Sequence, residues 1–185
     1  IFVRINPHIF AGGNYKISTG HIDSKFGISI HQLRHIERVM KSTGVNVEGL
    51  HMHTGSEIKD TDVFLQGLEI MFELAEKFPN IKYLDMGSGF KVPFQEGDME
   101  TDVKSLGKKV EKALAAFSKE SGKEFQLWFE PGKFLVSKSG HLLVKANVIK
   151  QTTATVFVGV NSGFNHLIRP MFYDSYHNIE NISNI

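Results

Sequence analysis

The sequence predicts an α/β fold with parallel, helix-covered strands, and three observations predict it. Short, nearly continuous apolar runs alternate with longer segments of helical period. The runs lack the polar alternation of a strand with one wet face, so both of their faces should be covered. Residues of the helix-start and helix-stop type fall between them.

The elements follow in order. Phe2 to Ile5 reads as a buried strand, and a polar, glycine-bearing stretch runs on through Gly27. Ser29 is an N-cap type residue and Gly44 a C′ type residue, so a helix is expected between them. Leu33, Ile36, Val39 and Met40 form its apolar stripe. Val47 to Met52 is the second strand, and the helix after it spans Asp62 to Lys77, with Phe64, Leu65, Leu68, Met71, Phe72, Leu74 and Ala75 on one face. Pro79 stops that helix. Ile81 to Met86 is the third strand. A helix over Val103 to Lys119 turns Leu106, Val110, Leu114 and Phe117 inward and leaves Lys108, Lys109, Lys112 and Lys119 as a solvated surface. Phe125 to Phe129 is the fourth strand.

A doubly wound sheet and a (β/α)8 barrel both satisfy this pattern. A complete barrel takes ~250 residues, so 185 residues supply only about half of one. After Gly132 the pattern changes. Phe134-Leu135-Val136, His141 to Ile149 and Thr153 to Val160 read as strands without intervening helices, and a separate β-region is expected from Ser137. The first residues begin inside a strand and the last stop in a mixed polar and aromatic stretch, which reads as a piece of a longer polypeptide.

Composition narrows the function classes. Lys and Arg number 21 against 20 acids, a net charge of +1, which argues against a dedicated nucleic-acid binder. No apolar run approaches the ~18 to 20 residues of a membrane-spanning helix. With no cysteine there is no disulfide framework and no thiolate chemistry, which fits a reducing cytoplasm.

Four clusters carry chemistry, and the first three fall just after strands, where α/β folds place their sites. In His51-Met52-His53-Thr54-Gly55-Ser56 the two histidines share a face. They suit a metal pair, a ring packed on a ring-shaped cofactor, or plain core hydrogen bonding. Glycines in Asp85-Met86-Gly87-Ser88-Gly89 let backbone N–H groups approach a phosphate, although without a following helix start the segment is a poor dinucleotide fingerprint. Glu130-Pro131-Gly132-Lys133 ends a strand in a carboxylate that needs a cationic or hydrogen-bonding partner, either a structural one or a ring nitrogen whose proton it holds. Arg169-Pro170, in an aromatic setting, suits a grip on a carboxylate or an ordinary surface turn.

Taken together, in order and spacing, these segments resemble the alanine-racemase-like pyridoxal-phosphate decarboxylases. The likeness runs through Arg4-Ile5-Asn6-Pro7, Ser24-Lys25-Phe26-Gly27, His53 to Ser56, Asp85 to Gly89, Glu130 to Lys133, and Ile168 to Tyr173 with His177. Ile168 to Tyr173 favours the branch whose substrate is a diamino diacid over the ornithine or arginine branches. The resemblance implies the second half of a (β/α)8 TIM barrel over residues 1–136 and the first strands of a C-terminal β-domain over 137–185.

It also implies roles. Pyridoxal 5′-phosphate would be the cofactor and an amino acid the substrate, with a homodimeric, cytoplasmic, bacterial parent enzyme and no metal. His53 would stack on the pyridine ring and Glu130 would pair with its nitrogen. Ser56, the Gly87-Ser88-Gly89 turn and the Pro131-Gly132 backbone would hold the phosphate, with Arg4 close to the cofactor. Lys133, Arg169 and Tyr173 would bind substrate, Lys133 also near the phosphate. The sequence departs from the family's pattern in Ser88, where a third glycine is usual, and in Lys133, where arginine is usual. Lysine keeps the charge and loses the planar fork. The family's cofactor-linking lysine would precede Ile1 and its proton-donating cysteine would follow Ile185, so the chain alone is expected to be inactive. A decarboxylase of another basic amino acid, a metal-dependent hydrolase using His51 and His53, and a non-catalytic barrel are the competing readings.

Overall fold

The computed structural model describes residues 1–12 and 18–183, so part of the glycine-bearing stretch before Gly27 lies outside the described residues. The chain divides into two units, one of Ile1–Val92 with Met99–Leu135 and one of Pro93–Asp98 with Val136–Ile185.

The first unit is a parallel sheet with helices between its strands. Its strands are β1 (Phe2–Asn6), β2 (Ile28–Ser29), β3 (Gly49–His51), β4 (Tyr83–Asp85) and β5 (Gln126–Trp128), in the order β2-β1-β3-β4-β5. The helices are α1 (Leu33–Thr43), α2 (Asp62–Lys77) and α3 (Val103–Ser121), followed by the short α4 (Gly132–Val136). Pairing is in register: Val3, Leu50, Leu84 and Leu127 form one row, and Arg4, His51, Asp85 and Trp128 the next. Adjacent rows point to opposite faces. Leu50 and Leu84 are fully buried, as is Leu68 of α2, and with Met71 and Phe72 they belong to the core. The opposite face carries Arg4, His51 and Asp85 above an aromatic group in which Phe2 stacks on Tyr83 at 5.6 Å and Trp128 lies 5.3 Å from Phe2.

Local sequence explains the helix ends. Gly44 and Gly122 take the left-handed conformation that closes α1 and α3, and the Asp102 side chain accepts the Ser105 N–H to start α3. A 3-10 turn over Ile30–Gln32, capped by Ser29, precedes α1. α2 keeps its expected bounds and ends at Phe78, just before Pro79. Val39, expected in the apolar stripe of α1, is instead 54% exposed, and Ile36 is the buried residue of that helix. β2 has no counterpart among the expected elements.

The second unit holds an antiparallel hairpin of β6 (Ala146–Gln151) and β7 (Val156–Val160), then α5 (Arg169–Tyr173). Three expected strands are corrected. Phe134-Leu135-Val136 is helical, not extended: Leu135 N–H reaches Pro131 O, so the Pro-Gly turn opens a helical turn. The strand expected from His141 begins only at Ala146, and the one expected from Thr153 only at Val156, because Thr152 folds back on Thr155 to make the turn between them.

Candidate functional site

The C-terminal ends of β1, β3, β4 and β5 gather most of the chemistry-bearing side chains of the first unit. Two backbone hydrogen bonds organise them around one turn. Ser88 N–H donates to His53 Nδ1 (3.3 Å), and Glu130 N–H donates to Gly87 O (2.7 Å). The turn that follows β4 therefore holds the histidine after β3 and the acid after β5. Gly87 (φ +61°) and Gly89 (φ +117°) make this close approach possible. A Cβ on Gly87 would come within 2.5 Å of Met52 O, and one on Gly89 within 2.2 Å of Gly55 O.

Each charged group has a defined setting. His53 accepts at Nδ1, so its neutral ring carries the proton at Nε2. Burial, then the positive charges of Arg4 and His51, hold its pKa below the usual histidine value, against the opposing pull of Glu130 and Asp85. The guanidinium of Arg4 donates to His53 O (3.3 Å) and lies 4.9 Å over the Phe26 ring. Burial lowers its pKa, and Glu130 partly opposes that. Asp85 accepts the Gly87 N–H (2.9 Å). His51 Nε2 lies 3.4 Å from Glu130 Oε2 without the alignment of a hydrogen bond. His51, Asp85 and Glu130 bring ligand-type atoms within 4.8 Å of one another. His53 is not of that trio, so a His51–His53 metal pair is not what the structure assembles.

The N–H groups of Gly87 and Ser88 are committed to Asp85 and His53. An anion at this turn must draw on neighbours, and two stand ready: Lys133 Nζ donates to Ser56 Oγ (3.0 Å). Gly132, the first residue of α4, has open space where a Cβ would stand, and the carbonyl of Pro131 before it accepts the Leu135 N–H. Glu57, which carried no signal in the sequence, accepts from Lys133 and from Lys91 (3.2 Å). Arg169 and Tyr173 belong to the second unit. There Arg169 lies 5.3 Å over the Phe94 ring and donates to Ser175 Oγ, and Tyr173 packs edge-on against Phe172.

A parallel α/β sheet whose strand ends gather an acid, a neutral imidazole, a glycine turn and a serine–lysine pair has its candidate site where α/β enzymes bind their ligands. Comparison with known proteins gives the family. Residues 1–137 match the family model described as pyridoxal-dependent decarboxylase, pyridoxal binding domain, and residues 133–184 match its C-terminal sheet domain. The chain belongs to the pyridoxal-dependent decarboxylase family. It is 31% identical to the diaminopimelate decarboxylase of Methanocaldococcus jannaschii over 96% of its own length and 42% of that protein. Among solved structures, a crystal structure of diaminopimelate decarboxylase superposes with a TM-score of 0.85 at 32% identity, covering 96% of this chain and 42% of that one. Helicobacter pylori diaminopimelate decarboxylase complexed with L-lysine gives 0.83 at 27%, covering all of this chain and 46% of the other. The chain spans less than half the length of the curated relatives it matches.

Proposed function

We propose that this chain supplies the cofactor-cradling part of a pyridoxal-5′-phosphate-dependent decarboxylase that converts meso-diaminopimelate to lysine and carbon dioxide. One observation carries the reading: His53 after β3 and Glu130 after β5 are tethered to the same glycine turn, which follows β4, the parallel strand between them. The donor set fits the cofactor. It offers an acid for a ring nitrogen, an uncharged flat ring, and a serine and an ammonium for a phosphate.

When bound, pyridoxal phosphate would supply a ring that accepts the electron pair left on the α-carbon as carbon dioxide departs. The residues here set the conditions for that. Glu130 keeps a proton on the ring nitrogen, because a nearby negative charge favours the protonated form. His53 stays neutral and so lies against a cationic ring without repulsion. Arg4 balances the Glu130 charge. Ser56 and Lys133 hold the phosphate beside the turn from Gly87 to Gly89, with Pro131 and Gly132 shaping the loop that delivers Lys133. Arg169 grips a substrate carboxylate through its fork, with Tyr173 beside it on α5.

The same reading takes the whole enzyme to be a homodimer in the bacterial cytoplasm, acting on a small amino acid and on neither nucleic acid nor membrane. The net charge is +1, and among the described residues no helix is long and apolar enough to cross a membrane. The test is direct. Full-length protein given meso-diaminopimelate should release carbon dioxide and lysine only with added pyridoxal phosphate. Equal release from ornithine or arginine, or none from any amino acid, would refute the assignment.

A further inference from the structure

We infer that Glu57 is a positioning residue for the anion end of this site, holding the Lys133 ammonium on Ser56 so that a phosphate group meets a preset cation. The inference rests on the proposed cofactor site and deepens it.

Glu57 follows Ser56 with φ +61°, a conformation that a residue with a Cβ adopts at a cost and that folded proteins keep where the surroundings impose it. Its side chain is only 16% exposed. One carboxylate oxygen accepts from Lys91 Nζ (3.2 Å), the other from Lys133 Nζ, and Lys133 donates to Ser56 Oγ as well. Burial alone would raise the Glu57 pKa. The hydrogen bonds and charges of Lys133 and Lys91 outweigh it and hold the group below its ordinary value of 4.5. The clamp is therefore charged at neutral pH.

Its base is fixed. Lys91 N–H donates to Thr101 Oγ1 (2.7 Å), and that hydroxyl donates to Ile58 O (2.6 Å), on the residue after Glu57. Ile58 N–H donates to Gly89 O (2.9 Å), so the segment from Ser56 to Ile58 is bonded to the glycine turn itself.

The chemistry of lysine makes such a clamp useful. An ammonium is a point charge on a flexible four-carbon stem, and ordering it at each binding event costs rotamer entropy. Glu57 repels an anion, but two contacting ammonium groups offset its charge, and the trio keeps a net charge of +1. Without Glu57, Lys91 and Lys133 lose the carboxylate that joins them, and Lys133 is held on Ser56 less firmly.

The test measures dissociation constants of the full-length protein for pyridoxal 5′-phosphate and for pyridoxal, which lacks the phosphate. Glu57→Gln should weaken pyridoxal 5′-phosphate about fivefold to tenfold and leave pyridoxal unchanged. In a Lys133→Arg background the same substitution should cost less than about twofold, because the guanidinium fork is self-oriented. Unchanged or tighter pyridoxal 5′-phosphate binding by Glu57→Gln would overturn the inference, as would an equal loss for pyridoxal or an undiminished loss beside Arg at 133. A wild-type protein that binds neither compound would instead sink the proposed function, and this inference with it.

Discussion

The two units use the same apolar vocabulary to opposite ends. In the first, Leu50, Leu68 and Leu84 are fully buried, because parallel strands in register set one row of side chains beneath the helices. In the second, Val148, Ile149 and Phe157 are 60%, 70% and 57% exposed on a two-stranded ribbon. A ribbon of two strands has no second layer of its own, and such hairpins are marginal in water. Apolar alternation in a sequence thus marks a strand, while burial depends on which layer comes to lie against it.

The largest effect that would break this contrast lies in the core. Leu68→Ala should cost about 2–5 kcal/mol in chemical denaturation, since the side chain is wholly enclosed. Next comes the glycine turn. Gly89→Ala combines a φ of +117° with a Cβ 2.2 Å from Gly55 O, and should cost about 1–3 kcal/mol or more by the same method. It should also weaken cofactor binding, because Ile58 bonds to that residue.

A smaller effect is the pH dependence of stability. The folded His53 pKa lies below 6.5, so below that pH the unfolded chain binds the proton more readily than the folded one. Stability should therefore fall as pH drops from 7.5 through 6.5 toward the lowered folded value. His53→Asn should flatten that part of the profile. Glu57 acts in a lower window: its contribution is present above 4.5 and is lost as pH falls through its depressed folded value. Denaturation at a series of pH values checks both. Smallest of all, Ile149→Thr should change stability by no more than about 0.5 kcal/mol, and a loss of about 2 kcal/mol would show that β6 has a covered face.

The sequence was most informative where local causes agree. α2 was legible from end to end because a broad apolar face and a proline stop agree. Ser29 and Gly44 marked the limits of the 3-10 turn and α1 for the same reason. Phe134 to Val136 misled because three apolar residues fit a strand as well as a helix, and the choice falls to the Pro131 carbonyl upstream. β2 is two residues long and exists through its pairing with Ile5 and Asn6, which no local pattern encodes. At the site, His53, the Gly87–Gly89 turn and Glu130 were legible because strand ends followed by glycine or proline concentrate chemistry. Glu57 was not. Its partners lie 34 and 76 residues away, and a lone acid has no spacing to read.

The central claim is that the acid at position 130 holds a proton on the cofactor's ring nitrogen. The nitrogen-15 resonance of ring-labelled pyridoxal phosphate, bound to the full-length protein at neutral pH, tests it most directly. The expected result is a protonated nitrogen in the wild type and an unprotonated one in Glu130→Gln. The same protonation state in both proteins would contradict the account.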